Sequence, residues 1–333
     1  MLHHGGRLSA AAHEYGIPLE HWLDLSTGIN LSGWPVPAIP ERCWLRLPED
    51  EDELELAARD YYGAPDLLPV AGSQAAIQAL PHLRLNSRVA VLNPGYAEHA
   101  AAWRAAGHAV EPVAAEAIDA AIDRLDVLVL IHPCNPSGAR FTRQQLLSWH
   151  RSLAARGGWL VVDEAFMDVT PEHSLAADSQ SPGLVVLRSL GKFFGLAGAR
   201  VGFVCAQREL LQQLREKLGP WTINAPSRWV STKALRDRAW QQQTRERLLQ
   251  DEQQMVELLR EYQLPPTGGC ALFQWHCSEH ALALHQALAR QAVFTRLFKN
   301  PSAIRFGLPA TETQWRHLED ALANLQSLIA RWY

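Results

Sequence analysis

Two short runs near the middle of the chain, 127–131 and 159–162, contain apolar residues at every position. A strand with one face in water alternates apolar and polar residues, whereas a strand buried on both faces does not. The two runs therefore predict strands inside a parallel sheet. Predicted strands and helices alternate around them, which is typical of an α/β domain: strands at 67–71, 88–92, 184–188 and 200–205, helices at 49–62, 73–83, 96–106 and 142–156.

The pattern changes after Gly219-Pro220. A long polar helix is predicted first, followed by short strands that alternate with helices: the polar helix at 227–262, strands at 270–275, 293–297 and 303–308, helices at 279–290 and 311–330. The first thirty or so residues have no clear place in the sheet. We therefore predict an N-terminal segment near the functional site at 1–30, a large α/β domain with a mainly parallel sheet at 31–218, and a small α+β domain at 219–333.

The composition excludes several classes of protein. With 31 Lys and Arg against 35 Asp and Glu, the net charge is −4, so the chain has no overall positive charge to bind nucleic acid. The five cysteines include no C-x-x-C pair, which argues against a disulfide framework or a cysteine zinc site. No apolar run approaches the ~18 residues of a membrane helix. We expect a cytoplasmic protein without a metal, a membrane or a nucleic-acid partner.

Polar residues follow several predicted strands, and ligands of open α/β sheets bind at the carboxyl ends of strands. Gly72-Ser73 begins a helix and could bind a phosphate, although such a start is commonly only a helix cap. Asn135 lies in a loop fixed by two prolines, and it could instead close an Asx turn. Asp163 ends a buried strand and needs a cationic or hydrogen-bonding partner, which a helix start could also supply.

A fourth stretch, 188–200, contains Lys192 among aromatic and small residues. Burial near an arginine favours the neutral, nucleophilic form of a lysine amine. The Gly191-Lys192 pair looks like part of a phosphate-binding loop, but Phe193 stands where Ser or Thr is required. The glycines of the stretch also lack the spacing of a dinucleotide-binding fingerprint. Nucleotide binding is therefore excluded, and Lys192 is a candidate nucleophile.

These four stretches, in this order, resemble the fold type I pyridoxal-phosphate enzymes, in the branch of the histidinol-phosphate aminotransferases. The resemblance extends from about residue 23 to residue 305. Within the branch, further motifs are most similar to those of the threonine-phosphate decarboxylases of cobalamin synthesis: His-Gly-Gly at 4–6, Leu-Asp-Leu-Ser-Thr-Gly-Ile-Asn at 23–30, Asn-Pro-Gly-Tyr-Ala-Glu at 93–98 and Pro-Trp-Thr-Ile-Asn-Ala at 220–225.

The resemblance implies an aminotransferase class I/II-like fold with pyridoxal 5'-phosphate as the cofactor. Lys192 would form a Schiff base with the cofactor and later move protons at the substrate carbon. Asp163 would keep the pyridine nitrogen protonated, which makes the ring an electron sink. Asn135 would donate to the 3-oxygen of the ring, and Tyr96 would stack on the ring. The cofactor phosphate would be held by Gly72, Ser73, Ser189 and Arg200.

The resemblance also implies a substrate site. Arg305 matches the arginine that clamps the substrate carboxylate in this fold, and Arg296 lies nine residues earlier on the preceding predicted strand, so the two could converge. Which arginine binds the carboxylate and which binds a substrate phosphate stays open. His4, Gly28 and Asn30 match positions near the substrate, although His4 could be a plain terminal histidine and Arg296 a plain surface arginine.

Two positions depart from the pattern of the branch. Phe166 follows Asp-Glu-Ala where the aminotransferases usually have Tyr, whose hydroxyl reaches the 3-oxygen of the cofactor. The decarboxylases tolerate Phe there, so this position favours decarboxylation. Leu47 stands before Pro48 where the branch usually has the Tyr that reaches the cofactor phosphate of the neighbouring subunit. This leaves open whether that intersubunit contact exists.

The activity implied by the resemblance is the decarboxylation of L-threonine O-3-phosphate to (R)-1-aminopropan-2-ol O-phosphate and CO2, for the aminopropanol linker of cobalamin, by a homodimer. The alternative is an aminotransferase acting on a phosphorylated amine such as histidinol phosphate, since no motif encodes which bond at the α-carbon is broken. A third interpretation is a regulator that only binds the cofactor. Such regulators carry a separate basic DNA-binding segment, and none is found in this sequence. Phe166 and the His-Gly-Gly at 4–6 favour the decarboxylase.

Overall fold

The computed structural model describes residues 5–50 and 52–332. Its helices are α1 (Leu8–Tyr15), α2 (Arg42–Leu45), α3 (Leu54–Tyr62), α4 (Ser73–Ala79), α5 (Ala97–Ala105), α6 (Ile118–Ala121), α7 (Arg143–Ala154), α8 (Arg208–Leu218), α9 (Ala225–Arg236), α10 (Arg238–Glu261), α11 (Ala281–Ala289) and α12 (Glu312–Ile329). Its strands are β1 (Leu23–Asp24), β2 (Leu67–Val70), β3 (Arg88–Leu92), β4 (Ala109–Val113), β5 (Val127–Ile131), β6 (Trp159–Asp163), β7 (Leu184–Ser189), β8 (Gly202–Cys205), β9 (Gly268–Cys270), β10 (Phe273–Cys277), β11 (Val293–Phe294), β12 (Arg296–Lys299) and β13 (Ser302–Gly307).

The described chain forms two compact units. The sheet unit consists of 34–50, 52–135 and 139–243, and the terminal unit consists of 5–33, 136–138 and 244–332. Residues 219–243, which the sequence analysis assigns to the small domain, thus group with the sheet, and 5–33 group with the C-terminal part. The domain limits inferred from the sequence stay predictions.

The sheet unit contains seven strands in the order β2-β8-β7-β6-β5-β3-β4. The pairs β3–β4, β3–β5, β5–β6 and β6–β7 are parallel, and β8 runs antiparallel to both of its neighbours. The carboxyl ends of β2, β3, β5, β6 and β7 therefore lie along one edge of the sheet. This edge carries the polar residues that the sequence analysis singled out.

The two apolar runs lie at the centre of this sheet, as predicted. Every residue of β5 is buried, and β5 pairs in register with β6, so that Ile131 lies opposite Asp163. The α/β fold class is confirmed. The sequence analysis missed β4, an edge strand that contains Pro112 and has exposed and half-buried positions, because such a strand lacks the continuous apolar run of a central one.

The terminal unit contains a four-stranded antiparallel sheet in the order β12-β13-β10-β9 and a parallel pair of β1 with β11. Helix α11 packs on β13, and α12 packs on α11. A small cluster of buried residues, including Ala11 from α1 and Trp22, packs with Ala289 and Ala292. The short strand β1 thus fixes the chain that leads into residues 26–30.

Several predicted elements differ in the structure. The predicted strand at 270–275 covers the end of β9 and the start of its antiparallel partner β10, and the predicted helix at 73–83 is α-helical only as far as Ala79. The predicted helix at 227–262 is two helices, α9 and α10, because Asp237 has a ψ of 77° that no helix accommodates. The predicted helix at 49–62 begins only at Leu54, and the predicted strand at 293–297 is divided at Thr295 into β11 and β12. These are corrections of element ends, which depend on local dihedral angles more than on apolar periodicity.

Within residues 5–50 and 52–332, none of the helices combines the length and the apolar character needed to span a bilayer. In the same described part of the chain, no three or more His, Cys, Asp and Glu side chains are grouped so as to hold a metal ion. None of the five cysteines, all of which lie in the described part of the chain, forms a disulfide bond.

Candidate active site

Asp163 is the buried carboxylate at the end of β6, and it is 4% exposed. Its Oδ2 lies 2.9 Å from His99 Nε2, and its Oδ1 accepts a hydrogen bond of 3.1 Å from the amide of Ala165. Both oxygens are therefore satisfied in the interior. The sequence analysis missed His99; its place three residues after Tyr96, one helical turn along, is the signal that could have found it.

Tyr96 lies directly before α5 and packs edge-on against His99, with the ring centroids 6.1 Å apart. Its hydroxyl donates to Gln74 Oε1 at 3.1 Å. Burial, with the negative charges of Glu98 and Asp163, raises the pKa of Tyr96 to about 12. The hydroxyl thus stays protonated at neutral pH. The ring of Tyr96 is held in place by Gln74 and His99, next to the histidine that binds Asp163.

Gly72, Ser73 and Arg200 lie close together at the start of α4. Gly72 has a φ of 71°, and a Cβ atom placed there would lie 2.7 Å from Arg200 Nη2, so glycine lets the guanidinium pass close to the backbone. Arg200 itself has a φ of 55°. Ser189, at the end of β7, accepts a hydrogen bond of 3.1 Å from the amide of Gly191. A guanidinium, hydroxyl groups and the amides at a helix start are the kinds of group that bind a phosphate.

Lys192 is half-buried in the loop after β7, and its Nζ lies 5.4 Å from the centroid of the Phe166 ring. Phe166 is buried, as are Phe193 and Phe194. The amine therefore lies over an aromatic ring, in a loop with two further buried aromatic side chains. Asn135, half-buried, follows β5 at the same edge of the sheet.

Arg296 and Arg305 lie directly opposite each other on β12 and β13 of the terminal unit. Arg305 is buried; its Nη2 donates to the carbonyl oxygen of Ser26 at 2.7 Å, and its guanidinium lies 5.0 Å from the centroid of Phe273. Burial, together with the charge of Arg296, lowers the pKa of Arg305 to about 10. Burial also lowers the pKa of Arg296, which lies 5.2 Å from the ring of Phe298.

The lowered pKa values show that the surroundings of both arginines disfavour the cation. A bound anion would favour the charged form of both side chains, because opposite charges attract. The structure thus brings together two of the predicted substrate residues. Gly28 has a φ of 61°, and the buried Asn30 accepts a hydrogen bond of 2.9 Å from Arg247 Nη2, a partner that the sequence analysis missed. His4 lies outside the described residues.

The chain belongs to the aminotransferase class I and II family, whose model matches residues 47–322. A curated relative named threonine-phosphate decarboxylase from Pseudomonas aeruginosa is 57% identical over 324 residues, with 97% of each chain covered. Another of the same name, from a Sinorhizobium species, is 39% identical over 333 residues, with 97% of this chain and 98% of the relative covered. The family resemblance stated from the sequence is confirmed.

Solved structures show the same fold at low identity. The L-threonine-O-3-phosphate decarboxylase of Porphyromonas gingivalis has a TM-score of 0.78 at 19% identity, covering 91% of this chain and 99% of that one. The histidinol-phosphate aminotransferase of Clostridium acetobutylicum has a TM-score of 0.80 at 19% identity, with the same coverage. The fold alone therefore does not distinguish a decarboxylase from an aminotransferase.

His132 begins the loop that leads to Asn135, and its ring is buried and stacked on Phe141, 6.0 Å between centroids. Its Nδ1 accepts a hydrogen bond of 3.4 Å from the amide of Phe141, while Nε2 is buried without a hydrogen-bond partner in the described structure. Burial, with the charges of Arg140 and His173, lowers the pKa of His132 to about 4. The ring is therefore neutral in the folded protein at neutral pH.

We predict that His132 makes the protein less stable in mild acid. The unfolded chain protonates this ring near pH 6.5, whereas the folded chain protonates it only near 4, so acid favours unfolding through this window. The contribution of this ring is fully present above pH 6.5 and is lost as the pH falls to 4, which amounts to about 3 kcal/mol.

Urea unfolding of the wild type and of His132→Asn between pH 7 and 4 tests this. Because Asn does not titrate, the variant is expected to lose less stability than the wild type over this range. The control is His13→Asn, which removes an exposed histidine. Parallel pH profiles of the wild type and His132→Asn would contradict the prediction.

Proposed function

We propose that the chain catalyses the decarboxylation of L-threonine O-3-phosphate to (R)-1-aminopropan-2-ol O-phosphate and CO2, which supplies the aminopropanol linker of cobalamin. The observation that carries this proposal is the near-full-length similarity to a curated threonine-phosphate decarboxylase. The chemistry of the residues at the sheet edge and of the arginine pair supports it. The low-identity structural likeness to histidinol-phosphate aminotransferases concerns the fold only.

The residues of the sheet unit suit pyridoxal 5'-phosphate as the cofactor. When bound, this group supplies a ring that accepts the electron pair left at the α-carbon. Asp163, held by His99 and a backbone amide, would keep the ring nitrogen protonated, and Tyr96 would stack on the ring. Asn135 would donate to the 3-oxygen. The cofactor phosphate would be held by Gly72, Ser73, Ser189 and Arg200.

Lys192 would hold the cofactor covalently and would move a proton to the α-carbon after CO2 leaves. Its Nζ lies over the ring of Phe166, and the neutral amine is the form that acts as nucleophile and base. Phe166 has no hydroxyl, so it gives no hydrogen bond to the cofactor. This absence changes the electronic environment of the ring relative to an enzyme with Tyr at this position.

Arg296 and Arg305 would bind the two anionic groups of the substrate, its carboxylate and its phosphate. Holding both anions fixes the orientation of the α-carbon, and the bond that stands perpendicular to the cofactor ring is the one that breaks. Gly28 and Asn30 would line the same substrate site, and His4 would approach the substrate from the N-terminal segment. Loss of CO2 would follow from an orientation that places the bond to the carboxylate perpendicular to the ring.

We propose further that the enzyme is a cytoplasmic homodimer. The five cysteines form no disulfide bond in the described chain, as is usual for proteins of a reducing compartment. Three large apolar side chains are exposed close together in and after α2, Trp44, Leu45 and Leu47, and such patches are typical of protein–protein interfaces. Analytical ultracentrifugation should give twice the chain mass at micromolar concentration. A monomer would contradict the dimer.

The first experiment measures CO2 release by the purified protein loaded with pyridoxal phosphate and given L-threonine O-phosphate. A parallel sample receives histidinol phosphate and 2-oxoglutarate, and glutamate is measured. We expect CO2 without glutamate. Glutamate without CO2 would instead identify an aminotransferase. Lys192→Ala serves as the control, because it removes the covalent attachment and should abolish both the turnover and the visible absorption of the bound cofactor.

Replacing Arg296 tests the arginine pair. Arg296→Ala should reduce kcat/KM for threonine phosphate by roughly 10- to 100-fold, the effect of losing a charge-assisted hydrogen bond, and should reduce it much less for threonine. The matched control is Arg290→Ala, an exposed arginine of the same unit. Equal losses on the two substrates would remove Arg296 from the phosphate site.

A further inference from the structure

Three fully buried charged residues lie beside the proposed cofactor site without belonging to it. Arg188, on β7, is 1% exposed, and Glu164 and Asp168, which follow β6, are completely buried. The guanidinium is forked between the two carboxylates: Nη1 lies 2.7 Å from Glu164 Oε2, and Nη2 lies 3.0 Å from Asp168 Oδ1. We call these three residues the ionic triad.

The ionic triad is surrounded by further hydrogen bonds. Glu164 also accepts from the hydroxyl of Ser174 and, at 2.8 Å, from the amide of Leu175. The guanidinium of Arg188 lies 4.6 Å from the centroid of the Tyr62 ring. Although burial opposes its charge, the carboxylates of Asp168 and Glu164 raise the pKa of Arg188 above its ordinary value. Arg188 thus stays a cation that both carboxylates hold.

Stability alone does not explain such an arrangement. Moving three charges out of water is costly, and replacing a buried ion pair or triad by well-packed neutral side chains is often neutral or stabilising. What a forked guanidinium supplies instead is direction, because its hydrogen bonds form only at fixed distances and angles. Apolar packing gives no such directional constraint.

The ionic triad adjoins both of the elements that carry the proposed cofactor ligands. Glu164 directly follows Asp163, and Arg188 directly precedes Ser189, four residues before Lys192. Strands β6 and β7 are parallel neighbours, with Asp163 opposite residue 187. The salt bridges therefore connect the carboxyl end of β6 to the carboxyl end of β7.

Besides the two salt bridges, Tyr61 connects the ionic triad to the part of the chain that follows Lys192. Tyr61 donates its hydroxyl to Asp168 Oδ1 at 3.0 Å, and its ring packs edge-on against Phe194, 5.4 Å between centroids. Phe194 is two residues after Lys192 and stacks on Trp240. The ionic triad is thus coupled to the chain on both sides of the lysine.

We propose that Arg188, acting with Glu164 and Asp168, is a positioning residue that fixes the end of β6 against the loop after β7, and so sets the spacing between Asp163 and Lys192. The inference rests on the proposed function only for the assignment of Asp163 and Lys192 to the cofactor. None of the three residues of the ionic triad is among the proposed cofactor or substrate ligands. The ionic triad acts through the backbone of the two strand ends.

The test replaces the three charges together, with Arg188→Met, Glu164→Gln and Asp168→Asn in one protein loaded with pyridoxal phosphate. We expect a folded holoenzyme with a wild-type circular dichroism spectrum and cooperative urea unfolding. Compared with the wild type, we also expect the variant to lose pyridoxal phosphate about ten times faster and its kcat to fall roughly 100-fold. The pH at which the visible absorption of the bound pyridoxal phosphate is half-changed should move as well. KM should change little, because the proposed anion-binding arginines belong to the terminal unit.

The matched control is Arg228→Met with Asp52→Asn. This pair is another buried arginine held bidentately by a carboxylate in the sheet unit, at 2.6 and 2.7 Å, and it adjoins none of the proposed cofactor ligands. It should leave the rate of cofactor loss and the absorption midpoint unchanged. If the triple variant instead matches the wild type in cofactor loss, absorption midpoint and kcat, the inference is wrong.

Arg188→Lys keeps the test informative if the triple variant does not fold. A lysine retains the charge but offers a single ammonium group in place of the fork, so it should lower kcat and displace the absorption midpoint in a folded protein. Wild-type behaviour of Arg188→Lys would overturn the inference. Failure of the proposed function appears separately, as absence of CO2 release by the unsubstituted protein, while cofactor loss and absorption are measured without a substrate.

Discussion

The hydrogen bonding of the buried Asp163 carboxylate is the constraint on which the rest of the sheet edge depends. An ionised carboxylate is stable in the interior only when donors match its oxygens. His99 and the amide of Ala165 meet this need from two different segments, the helix after β3 and the loop after β6. The amide of Ala165 is only two residues away in the same loop, whereas His99 reaches the carboxylate because β3 and β6 end at the same edge of the sheet. The hydrogen bonding of Asp163 therefore depends on the order of the strands in the sheet.

The buried arginines divide into two kinds by how their charge is balanced. Arg188 forms salt bridges with two carboxylates, which raise its pKa, so its charge is already balanced by groups of the protein itself. Arg305 has a lowered pKa because burial and the neighbouring Arg296 both disfavour its cation. An arriving anion would offset that cost. The first arrangement orders the protein itself, and the second is suited to binding a doubly anionic substrate.

Most of the central sheet could be predicted from the sequence, because strands buried on both faces have continuous apolar runs that few other elements show. The edge strand β4 could not, since its exposed positions and Pro112 remove that signal. The break between α9 and α10 at Asp237 was missed for a different reason: one dihedral angle ends a helix without changing its polar pattern. The grouping of 219–243 with the sheet depends on long-range contacts that no local pattern encodes.

The sequence by itself determined the family, and its motifs supplied the residues that we propose for the reaction, among them a lysine, an aspartate and an arginine. Only the tertiary structure decided their partners. His99 lies 64 residues from Asp163, Arg188 lies 24 residues from Glu164, and Arg247 lies 217 residues from Asn30. Such pairs are made by strand order and register, which result from packing the whole chain, so that residue types are local information whereas their contacts are not.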